Sequence, residues 1–205
     1  PIFGCEMYVA ERTLYDKAKD IDNRRYHLIV LAKNETGYHN LVKLVSKSWV
    51  EGFYSRPRTD HHELEKYHKG LIICSACIAG EVPRRILNGD IKGAEETILW
   101  YKNIFGEDYY LEIQRHEVKD PTQLANRETY PLQQEANKVI LELAKKHGVK
   151  VVCTNDVHFV DEENAEPHDR LICLGTAKDF DDPKRMRYSK QEWFKTQAEM
   201  NDIFA

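Results

Sequence analysis

No stretch of this sequence approaches the roughly 20 consecutive apolar residues that a membrane-spanning helix requires, so partners and substrates are not sought inside a bilayer. No signal peptide is visible, and the chain opens Pro-Ile-Phe without a methionine, as a fragment or a processed product does. There is no cationic excess. Lys and Arg number 30 against 34 Asp and Glu, for a net charge of −4, so contact with nucleic acid requires a local patch or another part of a longer protein. There is no tight cysteine framework either: five cysteines, an odd count, fit a reduced cytoplasm better than secretion. Internal repeats and low-complexity tracts are absent. What remains is a chain of 205 residues, 41% hydrophobic and 31% charged, which suits one soluble domain, 1–205, with a real core.

The most informative stretch is Val151-Val152-Cys153-Thr154-Asn155-Asp156-Val157-His158-Phe159. It opens with β-branched apolar residues and reads as a buried strand. Alternation along a strand puts Asp156 and His158 on one face, about 7 Å apart along the backbone. A carboxylate and an imidazole so placed can share a metal ion, although Asp-x-His alone is more often a helix-capping Asp beside a surface His.

Ile2 to Ala10 reads as a strand in which Glu6, among apolar neighbours, needs a partner: a basic side chain, solvent or a metal. Tyr26 to Ala32 is a second strand, paired with the first, and His27 reads as a strand-edge histidine rather than a ligand. Asn34 to Gly37 reads as a turn. Tyr38 to Trp49 is a helix with Leu41, Leu44, Val45 and Trp49 as its core stripe. Ser55 to Thr59 is a basic loop. In Asp60-His61-His62-Glu63 the adjacent histidines diverge, so the stretch is better read as the start of a helix to Tyr67, capped by Asp60 or Thr59, than as a metal cluster.

Gly70 to Gly80 is a strand running into a small-residue turn. Its Cys74-x-x-Cys77 lacks the second pair that a zinc knuckle needs; Cys74 is expected in the core and Cys77 facing a site. Helices follow over Pro83–Leu87 and Ile91–Phe105, broken at Asn88-Gly89-Asp90. The strand Asp108 to His116 carries Glu112, Gln114 and His116 on one face. Asp120-Pro121-Thr122 begins a polar loop. Leu132 to Lys146 is an amphipathic helix ended by His147-Gly148. Asp161 to Ala177 begins acidic and turns helical, with His168 a surface group by default, and a short strand and helix close the chain from Trp193.

Strands alternating with helices at these intervals predict an α/β barrel or open sheet, with the later strands parallel and covered on both faces. In both architectures the working residues collect at the carboxyl ends of strands. Cys77, His116, Asp156 and His158 all lie at or near such ends, so four candidate ligands from three strands converge by topology.

Several long motifs carry a resemblance. Gly-Cys-Glu-Met-Tyr-Val from Gly4, the run from His27 to Leu41, Val-Cys-Thr-Asn-Asp-Val-His-Phe from Val152 and Arg-Tyr-Ser-Lys-Gln-Glu-Trp-Phe-Lys-Thr from Arg187 resemble the PHP (polymerase and histidinol phosphatase) domain family, in the form found in the alpha subunit of bacterial DNA polymerase III. The resemblance implies a distorted seven-stranded α/β barrel holding two or three divalent metals, zinc or manganese, in the intact domain, with partial or no occupancy expected of this chain alone. It implies Glu6 as a bridging carboxylate, Cys77 and His116 as ligands from the middle strands, and Asp156 with His158 as the closing pair. The family's opening His-x-His and Thr-Asp-His strands are missing. The expectation is therefore an incomplete barrel, the C-terminal larger part of a PHP domain. Residues from about 178 to 205 would lead towards the polymerase palm, and exposed barrel edges would favour oligomers.

The implied function is part of a DNA-directed DNA polymerase, a nucleotidyltransferase of DNA replication. A metal-dependent 3′-5′ exonuclease in which Glu6 and Asp156 help position the water would accompany it, with little activity expected of this chain alone. Implied partners are DNA and other replicase subunits, with no membrane. Two rival readings are a structural scaffold that contacts a proofreading partner and a stand-alone phosphatase of the same family.

Overall fold

The computed structural model describes residues 1–118 and 125–205; the expected loop start at Asp120-Pro121-Thr122 lies outside the described residues. The described residues form a mixed α/β structure with one five-stranded sheet and seven α-helices. They divide into two compact units, one of Pro1–Glu112 with Val139–Val152, the other of Ile113–Lys138 with Cys153–Ala205.

The first unit is built on the sheet. Strand β1 (Gly4–Ala10) pairs antiparallel with β2 (Arg25–Ala32), as expected from two neighbouring apolar runs, and Glu6 stands opposite Ile29. Strand β3 (Leu71–Cys74) pairs antiparallel with β2 and parallel with β4 (Tyr109–Ile113); β5 (Lys150–Cys153) is the edge beyond β4. The β3–β4 pair has the parallel orientation expected of the later strands, while the sheet as a whole is mixed. Helices α1 (Glu35–Val50), α2 (His61–Lys66), α3 (Glu81–Leu87) and α4 (Ile91–Phe105) belong to this unit, with the last residues of α5 (Ala125–His147).

Helix α1 starts earlier than the turn reading allowed. The Asn34 side chain accepts the Gly37 N–H at 3.0 Å, so Asn34 is an N-cap and Glu35, Thr36 and Gly37 are its first turn. Its core stripe is Leu41, Leu44 and Ser48. Trp49 lies well round the helix from them and is 59% exposed, stacked on Phe53 instead of packed inside. Asp60 caps α2 as expected, accepting the Glu63 N–H at 2.9 Å. The core collects Leu28, Val30, Leu44, Leu64, Ile73, Ile98, Leu111 and Ile140 around the stacked rings of Tyr101 and Tyr109. Each such side chain contributes roughly 1.5–3 kcal/mol by leaving water.

One side chain of the basic loop is not on the surface. Arg58 is fully buried, and its guanidinium donates to the carbonyls of Leu14, Asp16, Asp22 and Gly52 at 2.9–3.1 Å. Four carbonyl dipoles take the place of a counter-ion, and the irregular segment between β1 and β2 is fastened from below.

The second unit holds α6 (Ala165–Thr176), preceded by a 3-10 turn at Glu162–Asn164, and α7 (Gln197–Phe204), together with the segment following β5. The expected strand through Phe159 stops at Cys153. Asn155 leaves the ladder to donate its amide to the carbonyls of Gln191 and Trp193, each at 2.8 Å. Asp156 then takes a left-handed conformation, φ 48°, which ends the alternation of faces. The expected strand at Trp193 is a single bridge to Phe159. Asp169 and Arg185 form a buried, two-pronged ion pair at 2.5 and 2.8 Å.

Candidate metal centre

On β1, Met7 and Val9 are buried, so Glu6 and Tyr8 occupy the other face. The register sets Tyr8 opposite His27 and Glu6 opposite Ile29, which makes Glu6 and His27 diagonal neighbours on one face. Glu6 Oε1 lies 2.5 Å from His27 Nδ1. The carboxylate that needed a partner has found an imidazole, and the histidine set aside as a strand-edge residue belongs to the site.

Cys77 reaches the same corner because the chain turns sharply after β3. Ala76 is left-handed, φ 62°, and its N–H donates to Glu112 Oε2 at 2.5 Å; the Glu112 N–H donates to Ser75 Oγ at 2.8 Å. The turn closes with Gly80 N–H to the Cys77 carbonyl at 2.7 Å and His27 N–H to the Ala79 carbonyl at 3.1 Å. Gly80 is required here: a Cβ would sit 2.1 Å from the Ser75 carbonyl oxygen. Glu112, which strand alternation places on one face with Gln114 and His116, is 5% exposed and directs its carboxylate to this turn. The result places Cys77 Sγ 3.6 Å from His27 Nδ1. Cys74 lies in the core as expected, its thiol pushed up to about 12 by burial and by the nearby Glu112.

Among the described residues, Glu6, His27 and Cys77 form a group whose ligand atoms all lie within 4.8 Å of one another. Two acceptors, a sulfur and a carboxylate oxygen, converge on one imidazole nitrogen, yet one proton points well at only one of them. The Cys77 sulfur and then the Glu6 carboxylate favour the imidazolium, and together they lift His27 from its ordinary value to about 10 against the opposing effect of burial. A proton there stands in for a cation. Nitrogen, oxygen and sulfur donors suit zinc; the 3.6 Å separation of nitrogen and sulfur is near the ~3.6 Å edge of a tetrahedral zinc site, and the 2.5 Å contact of Glu6 with His27 has to open to about 3.3 Å when a metal replaces the proton. The donor set therefore fits a divalent metal.

The remaining expected ligands lie in the second unit. His116 is 3% exposed. Its Nε2–H donates to the Asn155 carbonyl at 3.1 Å, and its Nδ1 accepts from the Gln133 amide at 3.0 Å. The His116 N–H in turn donates to Gln133 Oε1 at 2.8 Å, which orients that amide. His158 Nδ1–H donates to the Asp156 carbonyl at 2.6 Å, its Nε2 accepts from the Tyr188 hydroxyl at 2.9 Å, and Asp156 Oδ1 is 4.0 Å from its Nδ1. Each histidine has its tautomer set by a backbone carbonyl, the arrangement that readies the other nitrogen as a ligand. Each ready nitrogen is capped, one by an amide and the other by a phenol. His168 joins His158 and Tyr188 with ring centroids 5.9 and 5.3 Å away. Burial and then the neighbouring His158 lower its pKa.

The family model described as the PHP domain matches residues 1–116, more than half of the chain. Along the whole chain, DNA polymerase III subunit alpha of Borreliella burgdorferi is 42% identical over 206 residues, and the corresponding protein of Treponema pallidum is 40% identical over 206 residues, covering 99% of the chain. That of Thermus aquaticus is 38% identical over 203 residues, covering 98%. The chain spans only about 16–17% of the length of these three relatives.

Proposed function

This chain belongs to the PHP domain family, and from that premise we propose that it is the PHP part of a replicative DNA polymerase and holds divalent metals, zinc or manganese, for hydrolysis of phosphodiester bonds at 3′ ends. The observation that carries the reading is the meeting of Glu6, His27 and Cys77 around one imidazole nitrogen. Glu6 supplies the carboxylate suited to bridging two ions, His27 and Cys77 the softer donors. His116, Asp156 and His158 are further ligands by the same donor chemistry once the Gln133 and Tyr188 caps turn aside. A bound metal would supply a water of lowered pKa and a positive charge for the developing anion, and Asp156 would help position that water. The five strands are the retained part of a seven-stranded barrel, residues from about 178 to 205 lead towards the palm, and DNA and other replicase subunits are the partners of the parent enzyme.

Metal analysis of the purified chain tests this, paired with cobalt substitution and a manganese-supported assay on a single-stranded 3′ end. We expect partial metal occupancy with a sulfur-to-cobalt absorption band, lost in Cys77→Ser and reduced in Glu6→Ala. Any exonuclease activity, weak in this chain alone, should vanish in Asp156→Ala. No retained metal ends the proposal. Metal without 3′-end hydrolysis, in this chain and in the full-length parent, replaces it with the scaffold reading.

A further inference from the structure

A cavity of about 360 Å³ opens beside His27, lined by Asp20, Asn23, Arg24, Arg25 and Arg84. Three guanidinium groups against one carboxylate make it cationic, in a chain whose net charge is −4. The other arginines around it are engaged: Arg12 grips Asp22, Arg58 binds four carbonyls, and Arg85 is shared by Glu81 and Asp90. Among the described residues Arg24, Arg25 and Arg84 form no ion pair. Arg25 is steadied by the Tyr8 ring, its Cζ 4.9 Å from the centroid, and by the Asn23 carbonyl at 3.1 Å. The chain is fastened just before Arg24 and Arg25, because buried Asp22 is held by Arg12 and its carbonyl by Arg58. Arg84 comes from α3, the helix that starts at the end of the Cys77 turn.

We propose that this arginine-lined cavity binds a phosphodiester group of a single-stranded nucleic acid and so aligns the strand with the Glu6–His27–Cys77 corner, a reading that rests on the phosphodiester chemistry proposed above. Guanidinium groups bind phosphate oxygens in paired hydrogen bonds, and an arginine without a carboxylate partner has no competing internal anion to release first. Sharing His27 as a wall places a bound phosphate next to the candidate metal corner. Arg24 and Arg84 are exposed, so they are free to meet a ligand without rearranging the core.

The test is binding of a labelled short oligodeoxythymidylate to the full chain stripped of metal with chelator, followed by anisotropy across a salt series. The double variant Arg24→Ala/Arg84→Ala should bind on the order of tenfold more weakly, with a salt slope shallower by about one. The surface pair Lys43→Ala/Lys92→Ala should bind as the parent does. Arg84→Glu should weaken binding further with an unchanged melting temperature. Equal loss in both double variants, or no loss in either, overturns the proposal. Inorganic phosphate competing as well as the oligonucleotide also overturns it, since the cavity would then be a monoester site. Because metal is absent throughout, this outcome stands apart from metal uptake at Glu6, His27 and Cys77.

Discussion

The corner of Glu6, His27 and Cys77 and the histidines of the second unit use the same donor types in opposite states. At the corner, two acceptors crowd one nitrogen and a proton takes the cation's place. In the second unit each ring nitrogen of His116 and His158 already has one good partner. A ligand set is therefore not recognised by residue type alone. At the corner two acceptors compete for one proton, a place that a cation can take; the histidines are satisfied and must give something up to bind one.

Four perturbations sharpen that contrast. The largest effect concerns what holds the second unit together. Asp169→Ala strands the buried Arg185 guanidinium and should cost about 3–5 kcal/mol in urea unfolding. The contribution has a pH signature. Arg185 holds Asp169 below the ordinary carboxylate value, so its stabilisation is complete above that value and is lost as pH falls through the depressed one. Acid unfolding of Asp169→Asn should lack that component.

Next comes the metal. His27→Ala should weaken cobalt binding by about 100-fold or more, while Gln133→Leu, which uncaps His116 Nδ1, should leave that site's affinity within about tenfold. Equal effects would erase the distinction between a histidine nitrogen contested by two acceptors and one with a single good partner. Smaller still is Glu112→Ala, which leaves the left-handed Ala76 N–H without its carboxylate and should cost about 1–3 kcal/mol, read by chemical denaturation. The smallest signal is a proton. With His27 protonated up to about 10, loading zinc at pH 7.5 should release a proton into weak buffer from the parent chain and less from His27→Ala. His27 also stabilises the metal-free fold fully below its ordinary value, and that contribution is lost as pH rises towards 10.

Much of the framework was legible in the sequence. Period-two and helical patterning place β1, β2, α3 and α4, Asp60 as a cap, and Cys74 inside. The misses share a cause: they depend on which residues face one another across space. His27 reads as an edge residue because its importance comes from register, two positions from the residue opposite Glu6. That signal was available once β1 and β2 were paired antiparallel, since a charged residue and a histidine on facing strands invite a test of diagonals. The strand through His158 fails because Asn155 finds better partners in two backbone carbonyls far along the chain. Trp49 is on the right helix and the wrong side of it, and helical spacing alone does not say how wide the covered stripe is. Arg58 reads only as one charge of a basic loop because nothing local announces four carbonyls waiting for it.

The turn after β3 has a consequence for tuning. Main-chain atoms and the Glu112 carboxylate set its shape, so the side chain at position 77 hangs from a frame that does not depend on it. Replacing Cys77 by Asp would exchange a soft donor for a hard one without redrawing the loop. In the proposed metal site, preference between zinc and manganese would then become a single-residue dial mounted on a fixed bracket.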